Sequence, residues 1–102
     1  MKFRSDPINF NGAGDNTVIA GVSGNPIAIY AIVFTVAGAT NIILKNGATA
    51  LSGALVFTGN GSSMTLPLQS SGPWYSADTG NAFIMNLSIG VQVSGSVWYQ
   101  YG

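Results

Sequence analysis

Apolar residues along this chain come in short runs separated by small polar residues and glycine. Val, Ile, Thr, Phe, Tyr and Trp recur in these runs, and Gly, Asn, Ser and Pro interrupt them roughly every eight to twelve residues, the spacing of a sandwich or barrel. Fourteen glycines spread through the sequence leave no window long enough for a stable helix. The pattern predicts an all-β fold with strands over Thr17–Val22, Ile27–Val36, Thr40–Lys45, Ala54–Thr58, Met64–Leu68, Trp74–Ala77, Ala82–Ile89 and Val91–Tyr101. Pro26 has no amide hydrogen to donate, so the second strand begins after it. Asn46-Gly47 is the strongest turn signal in the chain. About eight antiparallel strands is the number of a jelly-roll-like sandwich.

Two strands depart from simple alternation. In Ile27–Val36 one face carries Ile27, Ile29, Ala31, Val33 and Thr35, and the other carries Ala28, Tyr30, Ile32, Phe34 and Val36. A strand with one wet face alternates apolar with polar, and this one is apolar on both. Since a two-layer sandwich has no third layer, the expected explanation is contact with a neighbouring subunit. In the last strand, Trp98 stands in a row otherwise made of Gln92, Ser94, Ser96 and Gln100. Tyr30, Ile32, Phe34, Val36 and Trp98 are therefore the candidate oligomer interface.

The first eleven residues read differently from the sandwich, residues 12–102. Met1–Asn11 lacks clear alternation and includes Pro7, yet holds Phe3, Ile8 and Phe10 among its charges. One reading is a frayed terminus. The sharper one is an extended N-terminal arm that docks on a partner through Phe3, Arg4, Ile8 and Phe10, since a disordered tail needs no such anchors.

Charge changes the picture more than any other property. The chain of 102 residues has three basic and three acidic side chains, where an ordinary domain is about a quarter charged. Four of the six (Lys2, Arg4, Asp6 and Asp15) fall in the first fifteen residues. A surface this neutral is poorly defended against association, so partners are expected. Zero net charge gives no electrostatic handle on nucleic acid or acidic lipid. The longest apolar stretch, Ile27–Val36, is about half of what a membrane-spanning helix needs. No signal-peptide-like run follows the first residues, so the expectation is a soluble product made in the cytoplasm.

The inventory for chemistry is short. His, Cys and Glu are absent, which removes the residues of nucleophilic triads, imidazole metal sites and carboxylate pairs. Asp6, Asp15 and Asp78 lie far apart, and Asp15 and Asp78 read as turn residues rather than cation ligands. Gly59-Asn60-Gly61-Ser62-Ser63 lacks the Lys and following helix of a phosphate loop and reads as a hairpin. Lys45 reads as a solvated strand-end lysine. Asn60-Gly61-Ser62 and Asn86-Leu87-Ser88 match a glycosylation sequon that short patterns meet by chance. Trp74, Tyr75, Trp98, Tyr99 and Tyr101 suit a core or subunit interface better than a ligand platform. No enzyme, cofactor or metal is expected.

The stretch Gly14-Asp15-Asn16-Thr17-Val18-Ile19-Ala20-Gly21-Val22-Ser23-Gly24, followed by an apolar strand, resembles the opening of small β-sandwich modules in tailed-bacteriophage structural proteins. The likeness continues through Gly38–Gly47, Leu51-Ser52-Gly53, Gly72-Pro73-Trp74-Tyr75, Thr79–Phe83 and Val91–Val97. The chain departs from that pattern at Asn25-Pro26 and Ala28, where basic residues are usual. The resemblance implies a jelly-roll-like, often trimeric virion component. The expected function is a trimeric capsid decoration (cement) protein on the capsid surface, partnered by itself and the major capsid protein. The alternative is a tail-fibre module that recognises cell-surface glycan through Trp74, Tyr75 and nearby loops.

Overall fold

The computed structural model describes Phe3–Gly102, and every regular element in it is a strand. In chain order these are β1 (Arg4–Phe10), β2 (Gly14–Ile19), β3 (Ile27–Val36), β4 (Thr40–Asn46) and β5 (Thr49–Ala50). They continue with β6 (Leu55–Phe57), β7 (Ser63–Leu66), β8 (Tyr75–Ala77), β9 (Phe83–Leu87) and β10 (Val93–Tyr101). All pairings are antiparallel.

One sheet runs β1-β10-β3, with β7 and β8 sharing the far edge of β3; the other runs β2-β9-β4, with β5 and β6 sharing the far edge of β4. Each shared edge is one strand interrupted by loop, so the ten strands act as eight, four to a sheet. The chain passes from one sheet to the other at nearly every connection, which is jelly-roll winding. Thr49–Ala50 and the N-terminal strand are the elements added to those read from the sequence. The Asn46-Gly47 signal marks the β4–β5 hairpin, where Gly47 adopts a left-handed φ of 57°. Asn46 Oδ1 accepts from the Asp78 amide at 3.0 Å and Asn81 Nδ2 at 2.9 Å, tying that hairpin to the β8–β9 loop.

The two-sided pattern of β3 has a local cause. Trp98 pairs with Ala31 but Tyr99 pairs with Ile29, so Tyr30 is an extra, unpaired residue in β3. Such a bulge shifts the alternation by one residue. Before it Ile27 and Ile29 face the core; after it Ile32, Phe34 and Val36 do, each at most 2% exposed. The expectation that Ile32, Phe34 and Val36 form an intersubunit face is therefore corrected. They are interior residues of their own sandwich, and Phe34 packs its ring 5.4 Å from that of Phe57.

The N-terminal segment is extended, but it lies on the sandwich rather than apart from it. Met1 and Lys2 fall outside the described residues; Arg4–Phe10 is an edge strand in continuous register with Tyr99–Val93 of β10. Ile8 is 2% exposed, and Phe10 packs against the core. These two anchors serve the chain's own interior, a correction to their reading as partner-docking residues. The position of Pro7 is consistent with an edge, since a proline cannot donate to an inner ladder.

Candidate functional site

The bulge that turns Ile32 and Phe34 inward leaves Tyr30 and Ala31 only partly covered. Trp98 stands opposite Ala31 in the β10–β3 ladder and is 37% exposed. Phe3, just before β1, places its ring 5.0 Å from that of Tyr30 at 58°. Beyond β7 the chain continues through Leu68, 59% exposed, into the loop Gln69-Ser70-Ser71-Gly72.

These residues enclose a groove on the outer face of the β1-β10-β3 sheet. One lobe, about 580 Å³, is lined by Phe3, Tyr30 and Leu68–Gly72. The second, about 270 Å³, is lined by Phe3, Ala31, Leu68 and Trp98. Phe3 and Leu68 belong to both, so the lobes adjoin. Among the described residues, neither is lined by a charged side chain. Rings with a polar tip beside apolar walls are the composition of protein interface cores.

Of the residues expected to form an interface, Tyr30 and Trp98 line this groove, whereas Ile32, Phe34 and Val36 are buried in the core. Of the expected arm residues, Phe3 lines it as well. Arg4 instead sits over the Tyr101 ring at 5.4 Å. Leu68–Gly72 and Ala31 were not singled out from the sequence. Leu68 offered a signal, as a large apolar residue at a strand end, next to polar loop residues.

The remaining aromatics do not form one platform. Trp74 Nε1 donates to the Pro67 carbonyl at 2.8 Å, which uses its polar tip, and Tyr75 packs against the core. Tyr99 is 4% exposed and meets Tyr101 edge-on at 5.5 Å. The Tyr101 hydroxyl donates to the Ala20 carbonyl at 2.8 Å.

The charged groups are structural in their placement. Asp15 lies within β2, not in a turn, and accepts from Lys45 Nζ at 3.0 Å and Asn86 Nδ2 at 2.7 Å on the outer face of the other sheet. The Asn86 and Lys45 bonds hold its carboxyl below the usual range. Lys45 is thus paired rather than free in solvent. Among the described residues no three His, Cys, Asp or Glu side chains converge on a possible metal position.

Tyr99 gives the fold a defined alkaline response. Its hydroxyl donates to Asp6 Oδ2 at 2.8 Å, and burial, reinforced by the Asp6 bond and charge, pushes its ionisation well above the ordinary tyrosine range. An acid whose folded-state pKa is raised stabilises the fold fully below its unfolded value, and that contribution is lost as pH climbs through the folded one. Thermal unfolding is expected to hold steady through neutral pH and fall above about pH 10, the unperturbed tyrosine value. Tyr99→Phe should flatten this fall; an unchanged alkaline profile in that variant would assign the sensitivity elsewhere.

No protein-family model matches this chain, and no curated protein or solved structure is significantly similar to it.

Proposed function

We propose that this protein is a non-catalytic structural component of a tailed-phage virion. It is read as a homo-oligomeric, trimeric capsid decoration protein that holds to the assembled head through apolar contact. The observation that carries the reading is the apolar groove across the outer face of the β1-β10-β3 sheet, lined by Phe3, Tyr30, Ala31, Leu68 and Trp98. An apolar surface of this kind favours burial against protein. The lack of His, Cys and Glu agrees with attachment rather than chemistry. Binding only the assembled shell stabilises that state by mass action, with no reaction required.

The fibre-module alternative draws less support, because the Trp74 indole on which it relied already donates to Pro67 within the chain. The experiment that tests the proposal is fractionation of virions on a density gradient, with each protein quantified by mass spectrometry. The expected result is co-sedimentation with heads at a copy number comparable to that of the shell subunit. Recovery only with tails at a few copies, or only as free protein, would overturn it.

A further inference from the structure

We propose that β1 is an exchangeable strand, able to seat on the β10 edge of a second copy of this chain as it seats on its own. The sandwich is nearly complete without it. Of the seventeen buried apolar side chains in the core among the described residues, β1 supplies only Ile8. Among the described residues its sole strand partner is β10, along an unbroken register from Arg4 opposite Tyr99 to Phe10 opposite Val93. When β1 leaves, β10 presents a row of unpaired amides and carbonyls, a template that an extended segment completes.

The connection to the rest of the chain also favours exchange. Only Asn11-Gly12-Ala13 separate β1 from β2, which lies in the opposite sheet. This link runs hard against the turn before β10: a Cβ on Gly90 would lie 2.9 Å from the Asn11 carbonyl oxygen and 3.1 Å from the Ala13 nitrogen. Short, tightly packed hinges are the ones that exchange.

Exchange restores the contacts that β1 itself makes with β10. The ladder with β10, the burial of Ile8 opposite Gly95 and the Tyr99–Asp6 hydrogen bond all reform on the neighbour. The balance is then set by concentration, because seating within one chain competes at an effective concentration on the order of millimolar. Copies held side by side on an assembly reach that regime. The occupant is specified by this chain's own pattern, an apolar residue for the Ile8 slot and a carboxylate for the Tyr99 hydroxyl. The inference concerns the chain itself and stands apart from the virion reading.

The test uses the full chain with Asn9→Cys and Ser94→Cys together. These positions are directly opposite in the β1–β10 register and exposed, and the chain has no other cysteine. The reduced protein is refolded over a range of concentrations, oxidised, and run under denaturing, non-reducing conditions. Exchange predicts disulfide-linked dimers and larger species, their share rising with refolding concentration. Intrachain-linked monomer alone at every concentration would overturn the proposal, including the case in which copies associate face to face with each β1 at home. Circular dichroism of the reduced variant checks folding. If that pair fails to fold, Pro7→Cys with Ser96→Cys gives the same reading, because these positions are also opposite each other.

Discussion

A Gly95→Val chain is expected to lose about 3 kcal/mol or more of stability and to unfold at a much lower denaturant concentration than the parent. Gly95 sits mid-strand in β10, between Val93 and Val97 on the inward-facing side, opposite Phe34 of β3. A Cβ built there would run into the Val33 carbonyl oxygen and lie 2.7 Å from the Phe34 Cα. Those are backbone atoms held in a ladder, so they cannot swing aside as the end of a flexible side chain would. The added atoms can be accommodated only by parting β10 from β3, the two strands at the centre of the sheet. Natural domains hold only about 5–15 kcal/mol in reserve, so the loss is a large share of the whole. Gly95→Ala should show the same effect in smaller measure. Gly53→Ala is the control: an added Cβ there meets nothing within 4 Å, and its midpoint should hardly move. Chemical denaturation followed by circular dichroism reads all three, and a parent-like midpoint for Gly95→Val would contradict the packing described.

The strands of the sandwich were legible because turns and strands are local: Pro26, Asn46-Gly47 and the apolar runs each act over a few residues. The order of the strands in the two sheets was not, because it is set by pairings between distant segments. The bulge at Tyr30 is a different kind of feature. With apolar residues on both sides of β3, a shift of phase leaves the same pattern as a second buried face. Only the β10 pairing, Trp98 to Ala31 and then Tyr99 to Ile29, separates the two. β1 was obscured for a related reason. Its inward side carries Asp6, Ile8 and Phe10 and its outward side Ser5, Pro7 and Asn9, but a charged residue facing inward and a proline mask the alternation. Asp6 can face inward because the Tyr99 hydroxyl meets it, a partner ninety-three residues away. Trp98 was legible, since a lone large apolar residue in a polar row stands out. The groove around it was not, because Phe3, Tyr30, Ala31 and Leu68 come from separate parts of the chain.

The scarcity of charge takes on a definite location in this fold. Lys45 and Asp15 neutralise each other on one sheet, and Asp6 and Arg4 are engaged with Tyr99 and Tyr101 near one end of β10. The outer face of the other sheet is left with an apolar groove that no charged side chain among the described residues lines. Association of the protein is expected at this face.

Trp98→Asp tests that expectation with the second large effect. Trp98 is more than a third exposed and faces away from the core, so the substitution leaves the interior untouched. Burying a carboxylate without a partner costs several kcal/mol, and each 1.4 kcal/mol is tenfold in an equilibrium constant. Association through this face should therefore weaken by roughly a hundredfold or more. The deciding measurement is the mass in solution at micromolar concentration, by light scattering, for the parent and for Trp98→Asp. Association through this face gives a parent with the mass of several chains, three for a trimer. It gives a variant at the mass of one chain, with an unchanged circular dichroism spectrum. A monomeric parent, or a variant that keeps the parent's mass, would contradict it.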